Sequence, residues 1–190
     1  MLINEFEAMT ISLVTDYEHG ISAIDAQFHR PKRAAIHLLV EGGKAALIDT
    51  GTYSSITGVL TALRQKSIAV EDVVYIILTH IHLDHAGGAS ECMRVFPNAR
   101  LVVHPRGASH MINPVRLVAG AMEVYGENEF RRVYGEINPI DPQRIIEATR
   151  NRPDAVSIHS VLLRSMQQAN YSPTNIGHFG LAYDEYSHFT

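Results

Sequence analysis

Six consecutive residues, His80 to His85 in the stretch THIHLDHAGG, hold three histidines and one aspartate. Imidazole nitrogen together with carboxylate oxygen is a ligand set for Zn²⁺, and also for Fe or Mn. Side chains two apart in an extended segment project to the same side, so His80 and His82 can converge on one ion. Asp84 and His85, beyond the bend, can point back at a neighbouring position. Gly87 and Gly88 would permit a tight turn and a close backbone approach. A lone histidine would be read as a solvated surface residue; an H-x-H-x-D-H run ahead of two glycines is read as a metal loop.

Elements that could hold such a loop flank it. VVYIIL (73–78) is a continuous apolar run, as in a strand covered on both faces. It would deliver Thr79 and the cluster to a strand's C-terminal end, where sites of α/β sheets sit. Upstream, Ile11–Val14, Ile21–Phe28, Ala34–Val40 and Ala45–Asp49 have strand-like content, and Gly42-Gly43 joins the last two as a hairpin. Ile56, Val59, Leu60 and Leu63 recur at helical spacing, so a helix begins near Thr52 or Tyr53. Downstream, the sequence predicts helices over Ala89–Phe96, Val115–Tyr125 and Glu129–Tyr134, with a strand over Arg100–Val103. The sum is a mixed α/β sheet with helical cover. From Asn151 to Ile176 no alternation, glycine turn or apolar helix face is evident.

The chain has 190 residues, is 46% hydrophobic and carries a net charge of −4, which suits one soluble domain. No basic stripe suggests a nucleic-acid partner. The apolar run Val73–Leu78 is too short for a membrane span. MLINEFEAMT lacks the basic start and apolar core of a secretory signal, so a cytoplasmic protein is expected. Cys92, the only cysteine, cannot form an internal disulfide and is expected to pack as a small apolar residue beside Met93. No G-x-S-x-G elbow is present, and DTGTYSS lacks a phosphate-cradling pattern.

LTHIHLDHAGG resembles the H-x-H-x-D-H signature of the metallo-β-lactamase superfamily. AALIDTG resembles that family's strand–turn element, with Asp49 in the supporting position below the metal loop. HPRGASHM, LVAGAMEVYG and YGEINPID resemble one bacterial branch of its metallo-hydrolases, and the resemblance runs over residues 8–150. It implies an αββα sandwich whose first half is well represented and whose second half is incomplete. It also implies a mono- or dinuclear centre, zinc or alternatively iron. His80 and His82 would serve one ion and Asp84 and His85 the other, completed by downstream residues. A metal-bound hydroxide would attack an ester, amide, thioester or phosphodiester in a small-molecule substrate. Asp84 would orient that hydroxide or pass a proton to the leaving group. Two alternatives stay open: an iron-bound oxidoreductase on the same fold, and a catalytically inactive truncated fragment.

The family's T-P-G-H and G-D motifs and its last histidine are not intact here. His159, in SIHSV, is a weak candidate for the third ligand and reads more naturally as a surface residue. GHFGLAYDEYSHFT resembles the segment following the family's bridging aspartate, with His178, a weak ligand candidate able to bind one ion but not to bridge two, where that carboxylate is expected. Within one domain, 1–190, residues 1–150 thus resemble the family, 151–176 depart from it, and 177–190 resemble it again. A frame-shifted reading of about 151–177 would explain both. The chain as written would leave one sheet face bare, and a homodimer could cover it. His110 is a candidate substrate or supporting residue, and His104 is read as structural within a loop held by Pro105. Arg106 could meet an anionic group but is more simply a surface arginine. His19, His29 and His37 are expected to be structural or exposed, and His188 is assigned no role.

Overall fold

The computed structural model describes residues 13–148. Four strands come first among the described residues, as an antiparallel meander: β1 (Val14–Asp16), β2 (Ile21–Asp25), β3 (Ala35–Glu41) and β4 (Lys44–Ile48). The β3–β4 turn is the Gly42-Gly43 pair, with φ of 56° and 77° flanked by the Glu41–Lys44 pair. Two successive positive φ angles are what a two-residue hairpin demands, and glycine supplies them without strain. β4 then pairs in parallel with β5 (Val73–Ile77), followed by parallel β6 (Arg100–Val103) and β7 (Ile145–Glu147). Spatial order equals chain order across the seven strands of the described residues.

Each parallel pair requires a helical crossover. α1 (Ile56–Gln65) links β4 to β5; the short α2 (Leu83–Ala86) and α3 (Ala89–Val95) link β5 to β6. α4 (Pro105–Ile112), α5 (Val115–Tyr125) and α6 (Glu127–Tyr134) link β6 to β7. Crossovers of one hand that all advance in one direction must lie on one face of the sheet. The packing agrees. Ile36, Leu38, Leu47, Ile76 and Leu101 are buried in one cluster with Val59 and Leu63 of α1, Cys92 and Met93 of α3, and Ala108 and Met111 of α4. On the opposite face Ile48, Ile77 and Val102 pack with Leu39, Ile146 and Ala148, and that cluster contains no helix residue. The registers Ile48–Ile77, Ile77–Val102 and Val102–Ile146 make them a row across four strands. The described residues therefore form a mixed α/β layer pair, one half of an αββα sandwich.

Several boundaries differ from expectation for local reasons. β1 starts at Val14, where the sequence suggested Ile11–Val14. β2 stops at Asp25 instead of Phe28, because the Asp25 carboxylate accepts from Gln27 N and Lys32 N, each at 2.9 Å, and turns the chain. HPRGASHM is helix α4, not a loop. Proline at a first helical position loses no hydrogen bond, and the His104 ring accepts from Arg106 N at 3.2 Å to cap the helix. α6 begins at Glu127, directly after Gly126 at φ 77°. No described helix is long and apolar enough to cross a membrane. The departure read over 151–176, the returning resemblance over 177–190 and the frame shift fall outside the described residues.

Candidate metal centre

β4 and β5 are parallel neighbours, so their C-terminal ends meet at one sheet edge. Asp49 follows β4 there in left-handed backbone, φ 60°, and its N–H donates to Ile77 O at 2.8 Å. Aspartate tolerates this conformation better than most residues. Its carboxylate is buried and fully engaged. Oδ1 accepts from Thr79 N at 2.8 Å and Thr79 Oγ1 at 2.9 Å; Oδ2 lies 2.8 Å from Thr79 Oγ1 and 2.9 Å from His85 Nδ1.

These bonds set two imidazole tautomers. An ionised carboxylate only accepts, so His85 must present Nδ1–H to Asp49, which leaves its Nε2 lone pair for a cation. The single Thr79 hydroxyl proton is likewise spent on Asp49. Its oxygen, 2.9 Å from His80 Nδ1, therefore accepts from that ring nitrogen, and Nε2 of His80 is left in the same state. One carboxylate thus orients two rings, His85 directly and His80 through a hydroxyl.

The backbone of the loop is tied down as well. Thr50 N and Oγ1 both donate to His85 O, at 2.7 and 2.8 Å, and Gly88 N donates to Gly51 O at 2.9 Å. A Cβ at Gly88 would meet Thr50 O and Thr52 O, each at 2.7 Å. The glycine pair serves close approach alone; Gly87 and Gly88 have φ of −62° and −85°, so neither makes a special turn.

Ring centroids of His80 lie 4.8 Å from His82 and 4.2 Å from His85, and Asp84 Oδ2 is 3.6 Å from His85 Nε2. Ligand atoms of Asp49, His80 and His85 lie within 4.8 Å of one another, a group able to hold a metal ion. Two neutral-nitrogen donors on a buried carboxylate frame, with further imidazole and carboxylate groups beside them, fit zinc chemistry. Burial, then the neighbouring His85 charge, holds His80 below the usual histidine range and favours its neutral form. Burial opposes the His85 cation, but the Asp49 hydrogen bond and charge, with Asp84 adding, outweigh it and raise the pKa of that ring.

His82 and Asp84 open onto a cavity of about 500 Å³. His110 lines the same cavity, where a substrate contact was expected, together with Arg116, Leu117, Tyr125 and Tyr134, which sequence reading missed. Thr79 was also missed as an orienting group; its place directly before H-x-H was the signal. His37 is half-buried on β3, while His19, His29, His104 and Arg106 are exposed. Cys92 is fully buried in α3, as expected. His159, His178 and His188 lie outside the described residues.

Two solved metallo-β-lactamases superpose on this chain with TM-scores of 0.50 and 0.51. The Cronobacter sakazakii enzyme with the HARLDQ motif is 20% identical, and the match covers 74% of this chain and 47% of that one. MEM-A1, a subclass B3 enzyme from a soil metagenome library, is 21% identical, with 73% and 47% covered. These likenesses concern the fold, and this chain spans about half of either protein. A second relationship is to Ribonuclease R. The Escherichia coli K12 protein is 38% identical over 90 residues, 46% of this chain and 10% of that protein. The Aquifex aeolicus protein is 33% identical over 111 residues, 58% of this chain and 14% of that protein. The chain thus spans about a tenth of the ribonucleases it matches. Residues 30–160, more than half of the chain, match the sequence model of one family, and by that match the chain belongs to the metallo-β-lactamase superfamily.

Proposed function

We propose that this chain is a metal-dependent hydrolase, with zinc as its cation and His80, His82, Asp84 and His85 as ligands. The observation that carries the reading is the Asp49 frame, which engages Nδ1 of both His80 and His85 and so leaves their Nε2 lone pairs for a cation. Asp49 acts as the orienting group rather than a ligand, because three donors, the Thr79 N–H and O–H and His85 Nδ1–H, already engage both of its oxygens. A divalent ion held there supplies a bound water of lowered pKa and polarises an electrophilic carbonyl or phosphoryl. The protein's own residues do the rest. Asp84 orients the attacking water and carries a proton on Oδ2 toward the leaving group. His110 contacts the substrate from the cavity wall. The substrate is a small molecule with an ester, amide, thioester or phosphodiester bond, hydrolysed in the cytoplasm, and a second copy of the chain packs on the sheet face of Ile48, Ile77 and Val102, which carries no helix among the described residues.

The test is elemental analysis of the purified, desalted protein beside His82→Ala, followed by hydrolysis assays on aryl esters, thioesters and bis-aryl phosphate. Stoichiometric zinc lost in the variant, with zinc-dependent turnover, supports the reading. Iron with oxygen consumption would transfer the assignment to an oxidoreductase on the same fold. Less than about half an equivalent of metal, unchanged by the substitution, would leave an inactive fragment.

A further inference from the structure

We propose that the groove between the metal loop and α5 selects substrates that carry an anionic group on an apolar chain, with Arg116 as the anion-recognising residue. The proposal deepens the hydrolase reading and rests on it only for placing the scissile bond beside His82 and Asp84.

α5 has no fully buried residue, unlike α1, α3 and α4; Leu117, Val118, Ala121 and Met122 are partly buried against Phe28, Leu83, Phe130 and Tyr134, so the helix forms one wall of the cavity. Leu117, Gly120, Ala121 and Tyr125 line the cavity at helical spacing, giving one apolar stripe about 12 Å long from first to last. Leu83 continues the apolar surface on the metal-loop side, and a Cβ at Gly120 would meet nothing within 4 Å, so the stripe is open at its middle. Polar groups sit at the α4–α5 junction: His110 in the last turn of α4 and Arg116 in the first turn of α5. Arg94, Arg131 and Arg132 each pair with a glutamate three or four residues away. Arg116 is exposed and, like Arg30 and Arg100, forms no such pair among the described residues; what sets it apart is its place in the cavity lining, beside His110. Asp84, the acidic group of the lining, lies at the metal end beside His85. A bidentate guanidinium fits a carboxylate or phosphate, and a chain of about eight carbons matches the stripe.

The test uses octanoate and octanamide, titrated calorimetrically into the full-length protein stripped of metal with chelator. Octanoate should bind about tenfold tighter than octanamide, and Arg116→Ala should erase that difference while leaving octanamide unchanged. Gly120→Phe should weaken both ligands. Equal affinity for the two, no binding of either, or an unchanged preference in Arg116→Ala would overturn the proposal. Octyl phosphate bound more tightly than octanoate, and weakened by the same substitution, would support it with phosphate as the anion. Zinc content of Arg116→Ala should match the unsubstituted protein, so failure of the hydrolase reading appears in the metal analysis and failure of this one in the titration.

Discussion

Replacing Asp49 by Asn tests whether one carboxylate sets the chemistry of two histidines. Asparagine matches aspartate in size and tolerates the φ of 60° at this position, so the backbone should hold. Its amide, however, offers one acceptor oxygen where the carboxylate offers two. If the oxygen stays against the Thr79 N–H, the amide NH₂ faces His85 Nδ1, now 2.9 Å away across a donor–donor contact. The His85 ring then either tilts away or shifts its proton to Nε2, and either response removes the lone pair aimed at the ion. Loss of such an orienting partner costs about 10- to 100-fold in metal affinity, or about 1.4–2.7 kcal/mol. Zinc affinity is measured by competition with a chromophoric chelator, and the tautomer by ¹⁵N shifts of the histidine rings. A zinc affinity within twofold of the unsubstituted protein, with Nδ1–H of His85 retained, would refute the reasoning.

Other outcomes follow from the same structure. Because the folded His85 pKa is raised, its cation adds stability to the metal-free protein below the unfolded value near 6.5, and that increment is lost as pH rises through the folded value. Zinc must displace that proton, so its affinity should weaken as pH falls through the raised pKa, and thermal melts with and without zinc from pH 5 to 9 should diverge upward. Burial pushes the Cys92 thiol up to about 12, so a thiol reagent at pH 8 should label it only after denaturant unfolds the chain. Gly88→Ala should destabilise the protein by about 1–3 kcal/mol in urea melts, since its methyl group would collide with two carbonyl oxygens. Arg144 donates to Met93 O, Phe96 O and Ala99 O at 2.7–2.9 Å, so Arg144→Met should cost about 2 kcal/mol through the unsatisfied C-terminal end of α3.

The metal loop was legible because it is chemically improbable otherwise: three imidazoles and a carboxylate in six residues leave little room for a bland account. Strands β3 to β6 and helix α5 could be read because their apolar patterns are unbroken and glycine or polar residues end them. α4 could not. His104-Pro105 looks like a loop signal, and the helix begins at that proline under a histidine cap, which pattern reading does not anticipate. Thr79 was invisible for a different reason. A threonine at a strand end is ordinary, and only the carboxylate 30 positions earlier makes it a relay between Asp49 and His80. The groove was hidden for the same reason, since Asp84, His110, Arg116 and Tyr134 are distant in sequence and meet only through the β6–β7 crossover.

The strictly sequential strand order bears on how this protein is made. Every described strand docks on the one synthesised just before it, so the sheet they form can grow in step with translation. The hydrogen-bonded frame of the metal loop is drawn entirely from residues 49 to 88. Once α3 has left the ribosome, the nascent chain already contains every partner of that frame, so the frame can close while β7 has yet to be made.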